Sequence, residues 1–259
     1  MPRLSVDIDL TYMPFEERES SLKNIGEALE RIKKRIENAI PQVQVLHKES
    51  AAKLAVSQHG AEIKLEVNLS ARGTITAPVK MQLCEKAKSE FNAFVAMNVV
   101  PLGQLYGGKI CAALDRQHPR DLFDIKYLLE NEGLSEEIKK GFLLYVLASD
   151  RPMHEIIAPN FQDHSAALKN QFEGMSTEVF TYEDFELTRK NLVSSIHHSL
   201  TQQDKEFLLS VSDLKPDWSI YDFQKFPAVQ WKMQNLQKLK ESNPKKHQSQ
   251  HEALKQTLA

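Results

Sequence analysis

The sequence predicts an α+β protein, a small mixed sheet with helices followed by a helical bundle. Three observations carry this prediction. Residues 4–10 and three segments between 42 and 69 alternate apolar and polar residues with the period of a strand. Between them, Leu22, Ile25, Leu29, Ile32, Ile36 and Ile40 step by three or four along one helical stripe. From Leu134 onward the periodic segments are helical, with no convincing strand among them.

In order, Leu4, Val6, Ile8 and Leu10 alternate with Ser5, Asp7 and Asp9 and predict the first strand. Pro14 breaks that pattern, and a helix is expected over 15–40. Glu16, Glu17 and Glu19 crowd its start and Arg31, Lys33, Lys34 and Arg35 gather toward its end, which suits the helix dipole. Strands are expected over 42–47, 51–58 and 62–69, with turns at Gly60 and at Arg72-Gly73. A further strand is expected over 94–100, then helices over 102–115 and 119–131, the second opened by Pro119. Helices follow over 135–149, 164–174, 182–200, 204–212 and 227–239. This organisation divides the chain into a first domain over 1–133, a helical domain over 134–240 and a loose polar tail or frayed helix over 241–259.

Composition bounds the function. Of 259 residues, 41% are hydrophobic and 26% charged, which excludes a mostly disordered or fibrous chain. The net charge of −2, from 33 basic and 35 acidic residues, gives no overall attraction to nucleic acid or membrane, so such contacts must be local. Two cysteines, Cys84 and Cys111, exclude a disulfide scaffold and favour a reducing cytoplasm. No apolar leader follows Met1, and the apolar runs at 94–97 and 142–148 fall far short of the roughly 20 residues of a membrane span. A cytoplasmic protein without a membrane partner is the expectation.

Asp7 and Asp9 stand two apart on a strand, so both carboxylates share one face, where a hard divalent cation would relieve their repulsion. The plain alternative is a solvated strand face. Glu66, opposite the apolar side of its own strand, is a candidate third carboxylate. Lys109 and Arg116, seven apart on one helical face, suit a triphosphate, or are two surface cations. Arg120, Asp121 and Asp124 follow Pro119, and Asp121 also fits ordinary first-turn capping. Gly103 through Lys109 matches a phosphate loop up to its lysine, but Ile110 stands where a Ser or Thr would hold Mg²⁺. His154-Glu155 lacks the second histidine of a zinc-protease helix, since Ala158 occupies its place. His197-His198 cannot share a helical face, and Trp218 and Trp231 are expected in the bundle core or at a domain interface.

Together three segments resemble the AbiEii/AbiGii nucleotidyltransferase toxins. They are Arg3-Leu-Ser-Val-Asp-Ile-Asp-Leu-Thr-Tyr12, Ile63-Lys-Leu-Glu-Val-Asn68 with Arg72-Gly73, and Leu105 through Ile125. The likeness continues through Arg151-Pro-Met-His-Glu155 and Pro216-Asp-Trp218, up to about residue 240. The resemblance implies a polymerase-β-like nucleotidyltransferase domain followed by a helical domain. It implies a Mg²⁺-dependent toxin of toxin–antitoxin and phage-defence (abortive infection) operons. NTP would be the substrate and a neighbouring antitoxin the partner. Some relatives add nucleotides to the 3′ end of tRNA. Carried onto this sequence, Asp7, Asp9 and Glu66 match the metal-binding acids, and Lys109 and Arg116 the phosphate-binding cations. Asp121 and Asp124 match later acidic positions of the catalytic motif, and Ser5 lies beside the aspartates as a nucleotide-binding candidate. The family's Gly-Gly-Thr or Gly-Ser helix, which precedes the Asp-x-Asp strand, has no counterpart before Met1-Pro2-Arg3, so either an N-terminally shortened chain or a start codon assigned too late is expected. The competing function is a non-catalytic remnant that binds a partner protein or RNA through its helical half. A phosphate-loop NTPase centred on Lys109 is a third, weaker reading.

Overall fold

The computed structural model describes Arg3 and residues 7–259. Ser5 and the start of the first expected strand therefore lie outside the described residues. Strand β1 (Asp7–Leu10) is followed by helix α1 (Arg18–Ala39) and three strands, β2 (Gln44–Lys48), β3 (Lys53–Gln58) and β4 (Ala61–Val67). They form one sheet in the order β1-β4-β3-β2. β1 runs parallel to β4, and β2 and β3 are antiparallel to their neighbours. His59 and Gly60, both with positive φ, make the tight turn between β3 and β4.

Pairing in register sorts the two sheet faces. Leu54 opposes Leu65 and Val56 opposes Ile63, so one face is apolar. Ile25 and Leu29 of α1 cover that face, where Val45, Ala52 and Leu54 are buried with them. The helix begins three residues later than its pattern suggested. Phe15 is drawn away to meet the Phe226 ring edge-on at 5.3 Å.

A second, two-stranded sheet pairs β5 (Val79–Gln82) with β6 (Ala96–Val99), and the short helix α2 (Glu85–Phe91) lies between them in sequence. The partner of the expected strand near 94–100 was thus hidden in a segment without clear alternation.

The remaining elements are helices: α3 (Leu102–Arg116), α4 (Pro119–Asn131), α5 (Glu136–Ala148), α6 (Met153–Ile157), α7 (Ser165–Gln171), α8 (Tyr182–Ser199), α9 (Gln202–Ser212), α10 (Pro227–Ser242) and α11 (Pro244–Leu258). Two expectations about organisation are corrected here. The boundary at 133/134 cuts through one continuous core, since Ile110, Leu114, Leu122 and Phe123 are buried with Phe142, Phe185, Phe207 and Leu254. α3 and α4 therefore belong to the helical body, and the sheet with α1 has its own smaller core.

Of the two expectations for the polar tail, loose segment or frayed helix, it is helix that forms, and it is docked rather than frayed. Pro244 sits in its first turn, Asn243 accepts a hydrogen bond from the Lys246 N–H at 3.1 Å, and His247, Leu254 and Leu258 are buried. Those positions, with His251, fall on one helical stripe. A few well-spaced side chains suffice to dock it.

Trp218 packs partly buried against the core, whereas Trp231 is exposed. Among the described residues no helix is long and apolar enough to cross a membrane.

Candidate active site

The acidic face of the sheet comes first. Asp9 pairs with Glu66 in the β1–β4 register, and Asp7 with Lys64. Because strand side chains alternate, Asp7, Asp9 and Glu66 all stand on the face opposite the apolar one. These are oxygen donors of the kind that Mg²⁺ takes. Their convergence is looser than expected. Glu66 accepts a hydrogen bond from the Lys53 ammonium at 2.8 Å across the β3–β4 pair, and among the described residues no three His, Cys, Asp or Glu side chains are grouped to hold a metal. The donors fit a hard cation in chemistry, with Asp9 directly opposite Glu66, Asp7 two residues along the same face, and Glu66 engaged by Lys53.

The cationic side is built on α3 and α4. Lys109 projects from α3 and donates from Nζ to Asp124 Oδ2 at 2.7 Å. Asp124, on α4 and only 1% exposed, also receives Arg3 in a bidentate pair, Nε to Oδ1 at 2.5 Å and Nη2 to Oδ2 at 2.6 Å. Burial pushes the Asp124 carboxyl up, but the hydrogen bonds from Arg3 and Lys109 outweigh it and hold it below the ordinary carboxylate range. Arg3 gains proton affinity from the same contact.

One turn into α4, Asp121 binds Arg116 in a second fork, at 2.5 and 2.9 Å. His118 caps this helix, its ring nitrogen accepting from the Arg120 N–H at 3.1 Å, and Pro119 follows in the first turn. Asp121 raises the proton affinity of Arg116, chiefly through that hydrogen bond, and the charge of Asp9 adds to it.

The sheet acid Asp9 therefore lies near enough to α3 to act on Arg116. Arg3, just before β1, ties the same strand to Asp124 and forms a bridge to Ser176. A polar cavity of about 400 Å³ opens beside Arg116, lined by Asp115, Arg151, His154, Gln162 and His164 among others. Arg151 pairs with Asp115 at its wall.

The structure brings Asp9 and Glu66 together, and Lys109 with Asp124, and Arg116 with Asp121. It does not bring the three acids to a common point, and Ser5 lies outside the described residues. Both later aspartates, which the motif suggested as catalytic, are engaged as ion-pair partners of cations, and Asp124 is shut away from solvent. Sequence reasoning gave no role to Lys53 or Arg3. The register Lys53↔Glu66 is a cross-strand charge pair that only strand alignment reveals.

The glycine-rich run has another explanation than a phosphate loop. Gly103 and Gly107 lie within α3, where an added Cβ would come within 2.4 Å of the Glu137 carbonyl oxygen and 2.2 Å of the Gly141 carbonyl carbon. They let α3 and α5 cross in near-backbone contact, which fixes the face that carries Lys109 and Arg116.

The sequence model of the nucleotidyl transferase AbiEii toxin family, of type IV toxin–antitoxin systems, matches residues 1–235. The chain belongs to the AbiEii family. Its members are nucleotidyltransferase toxins, and the enzyme class of this chain is theirs. Among solved structures, the fold is similar to MenT4, a nucleotidyltransferase toxin from Mycobacterium tuberculosis, with a TM-score of 0.59 at 14% identity. That match covers 90% of this chain and 78% of the other. No curated protein sequence matches.

Proposed function

We infer that this AbiEii member transfers a nucleoside monophosphate from an NTP to a hydroxyl at an RNA 3′ end, the tRNA acceptor end being the favoured target. The single observation behind this reading is that Asp9, paired in register with Glu66, exerts its charge on Arg116, a cation anchored by Asp121 on the helix that also carries Lys109. Nucleotidyl transfer needs oxygen donors where the acceptor hydroxyl meets the α-phosphate and fixed positive charge where pyrophosphate leaves.

Asp7 and Asp9 would hold Mg²⁺, with Glu66 beside Asp9 as the next donor. When bound, the metal supplies charge neutralisation at the α-phosphate and a more acidic acceptor hydroxyl. Lys109 keeps two further N–H donors after its bond to Asp124 and directs them at the β- and γ-phosphates. Arg116, gripped by Asp121, presents its remaining N–H groups to the same anion.

Asp121 and Asp124 act as positioning residues in this account. Neither touches the reacting atoms; each fixes a cation that does. Positions set in advance stabilise developing charge without reorganisation during the reaction.

In the cell the toxin works in the cytoplasm and is restrained by an antitoxin encoded beside it. The test is transfer of label from each of the four α-³²P NTPs to total RNA by the purified chain with Mg²⁺. Label on a discrete small-RNA band supports the reading. Absence of label from all four nucleotides, with folded protein, contradicts it.

A further inference from the structure

The charged residues of the sheet are sorted into rows across the strands. In one row the register runs Asp9, Glu66, Lys53 and Lys48, over β1, β4, β3 and β2. In the next row, two residues back along β1, Asp7 stands opposite Lys64. All of these side chains share the face opposite α1.

Like charges directly across a strand pair repel, and the first row holds two such pairs, Asp9 with Glu66 and Lys53 with Lys48. The attractive step is the middle one, where Lys53 Nζ donates to Glu66 Oε1 at 2.8 Å. Repulsion between the two carboxylates calls for a cation, and the sheet supplies one of its own. It stands across β4 from Asp9. Lys64, the other lysine beside the acids, lies 4.0 Å from Glu62 on its own strand. Lys53 is therefore the cation committed to Glu66.

A carboxylate already neutralised by an ammonium attracts a dication weakly, because the dication and the ammonium repel each other. The Lys53 and Glu66 side chains are 42% and 30% exposed, so little stability is at stake in their bond and a stronger competitor can break it. Mg²⁺ is commonly held by one or two carboxylates together with substrate phosphates, so the aspartates of β1 suffice without Glu66.

We propose that Lys53 is a positioning residue that competes with the divalent cation for Glu66, so that the chain without nucleotide holds its cation on Asp7 and Asp9 alone. Lys53 thereby limits how tightly the cation is held. Taking the aspartates as the metal's ligands rests on the nucleotidyl-transfer reading; the bond of Lys53 to Glu66 does not.

The test measures Mn²⁺ binding to the full chain, without nucleotide, by the loss of the free ion's electron paramagnetic resonance signal. Wild type should bind Mn²⁺, and Asp9→Asn should remove most of that binding. Lys53→Met removes the ammonium, frees Glu66 and should tighten Mn²⁺ binding by roughly tenfold. Melting temperatures should stay within a few degrees, since the pair is partly exposed; Lys53→Gln takes the place of Lys53→Met if the latter melts lower. The double variant Lys53→Met/Glu66→Gln separates competition from a general field effect. It removes one charge of each sign, so its Mn²⁺ affinity should fall no more than about threefold below wild type. A larger fall would mean that Glu66 already holds the ion in wild type, and it overturns the proposal. So does a gain of less than about threefold in Lys53→Met, binding that Asp9→Asn leaves intact, or no binding by either wild type or Lys53→Met. If Mn²⁺ binding follows the expected pattern while no labelled NTP is transferred, the transfer reading fails and the role of Lys53 stands. Transfer by wild type with Mn²⁺ affinity unmoved in Lys53→Met leaves the transfer reading and removes the role of Lys53.

Discussion

Replacing Asp124 with Asn tests how the cations are held. The Asp124 carboxylate is 1% exposed and takes two charged partners, Arg3, 14% exposed, and Lys109, 32% exposed. Removing one member of a buried ion pair costs about 3–5 kcal/mol, because the other is left uncompensated. Here both cations keep some access to water, and Asn keeps one acceptor oxygen. We therefore expect a loss of about 2–3 kcal/mol. Urea unfolding of wild type and Asp124→Asn should show a lower midpoint at an unchanged slope. The pH dependence gives a second reading. The folded-state Asp124 carboxyl lies below its ordinary value, near 3.9 when unfolded. Its contribution is thus present above about pH 4–5 and lost as pH falls through the depressed folded value. Wild type should lose stability on that acid limb, and Asp124→Asn should lose less. A midpoint shift worth less than about 1 kcal/mol, or identical acid limbs, would refute the idea that Asp124 anchors Arg3 and Lys109.

Two further substitutions probe the phosphate grip and the helix crossing. Lys109→Ala should weaken NTP binding by roughly tenfold or more while NMP binding changes little, as equilibrium titration of both nucleotides would show; equal weakening of both argues against contact with the β- and γ-phosphates. Gly107→Ala places a Cβ 2.2 Å from the Gly141 carbonyl carbon, and backbone cannot yield as a side chain does. It should destabilise the protein by about 3 kcal/mol or more, seen as a lower melting temperature, and near-wild-type melting would mean that α3 and α5 are not so closely apposed.

Much of the fold was legible because periodicity reports burial directly. The α1 stripe and the alternation of Ile63, Leu65 and Val67 against Lys64 and Glu66 placed the sheet, its covering helix and the acidic face together. Less legible were features set by long-range contact. Gly103 and Gly107 resembled a phosphate loop because sequence shows glycines but not what lies against them. The division between cores falls before α3 and not after α4, since Ile110 and Leu122 carry no mark of which partner buries them. The 241–259 segment looked too polar to dock, yet Leu254 and Leu258 sit at the right spacing. At the site, Asp9 and Glu66 were readable from strand phase, whereas the Lys53 pairing required the register and the Arg3–Asp124 fork spans 121 residues.

The account turns on Asp9, which stands exposed on the sheet, pairs with Glu66 in register and adds to the field at Arg116. The decisive measurement is label transfer from NTP to RNA by wild type and Asp9→Ala, taken with the melting temperature of each. The account predicts transfer by wild type, none detectable by Asp9→Ala, and melting temperatures within a few degrees. Equal transfer by the two proteins, or loss of activity only through loss of the fold, would contradict it.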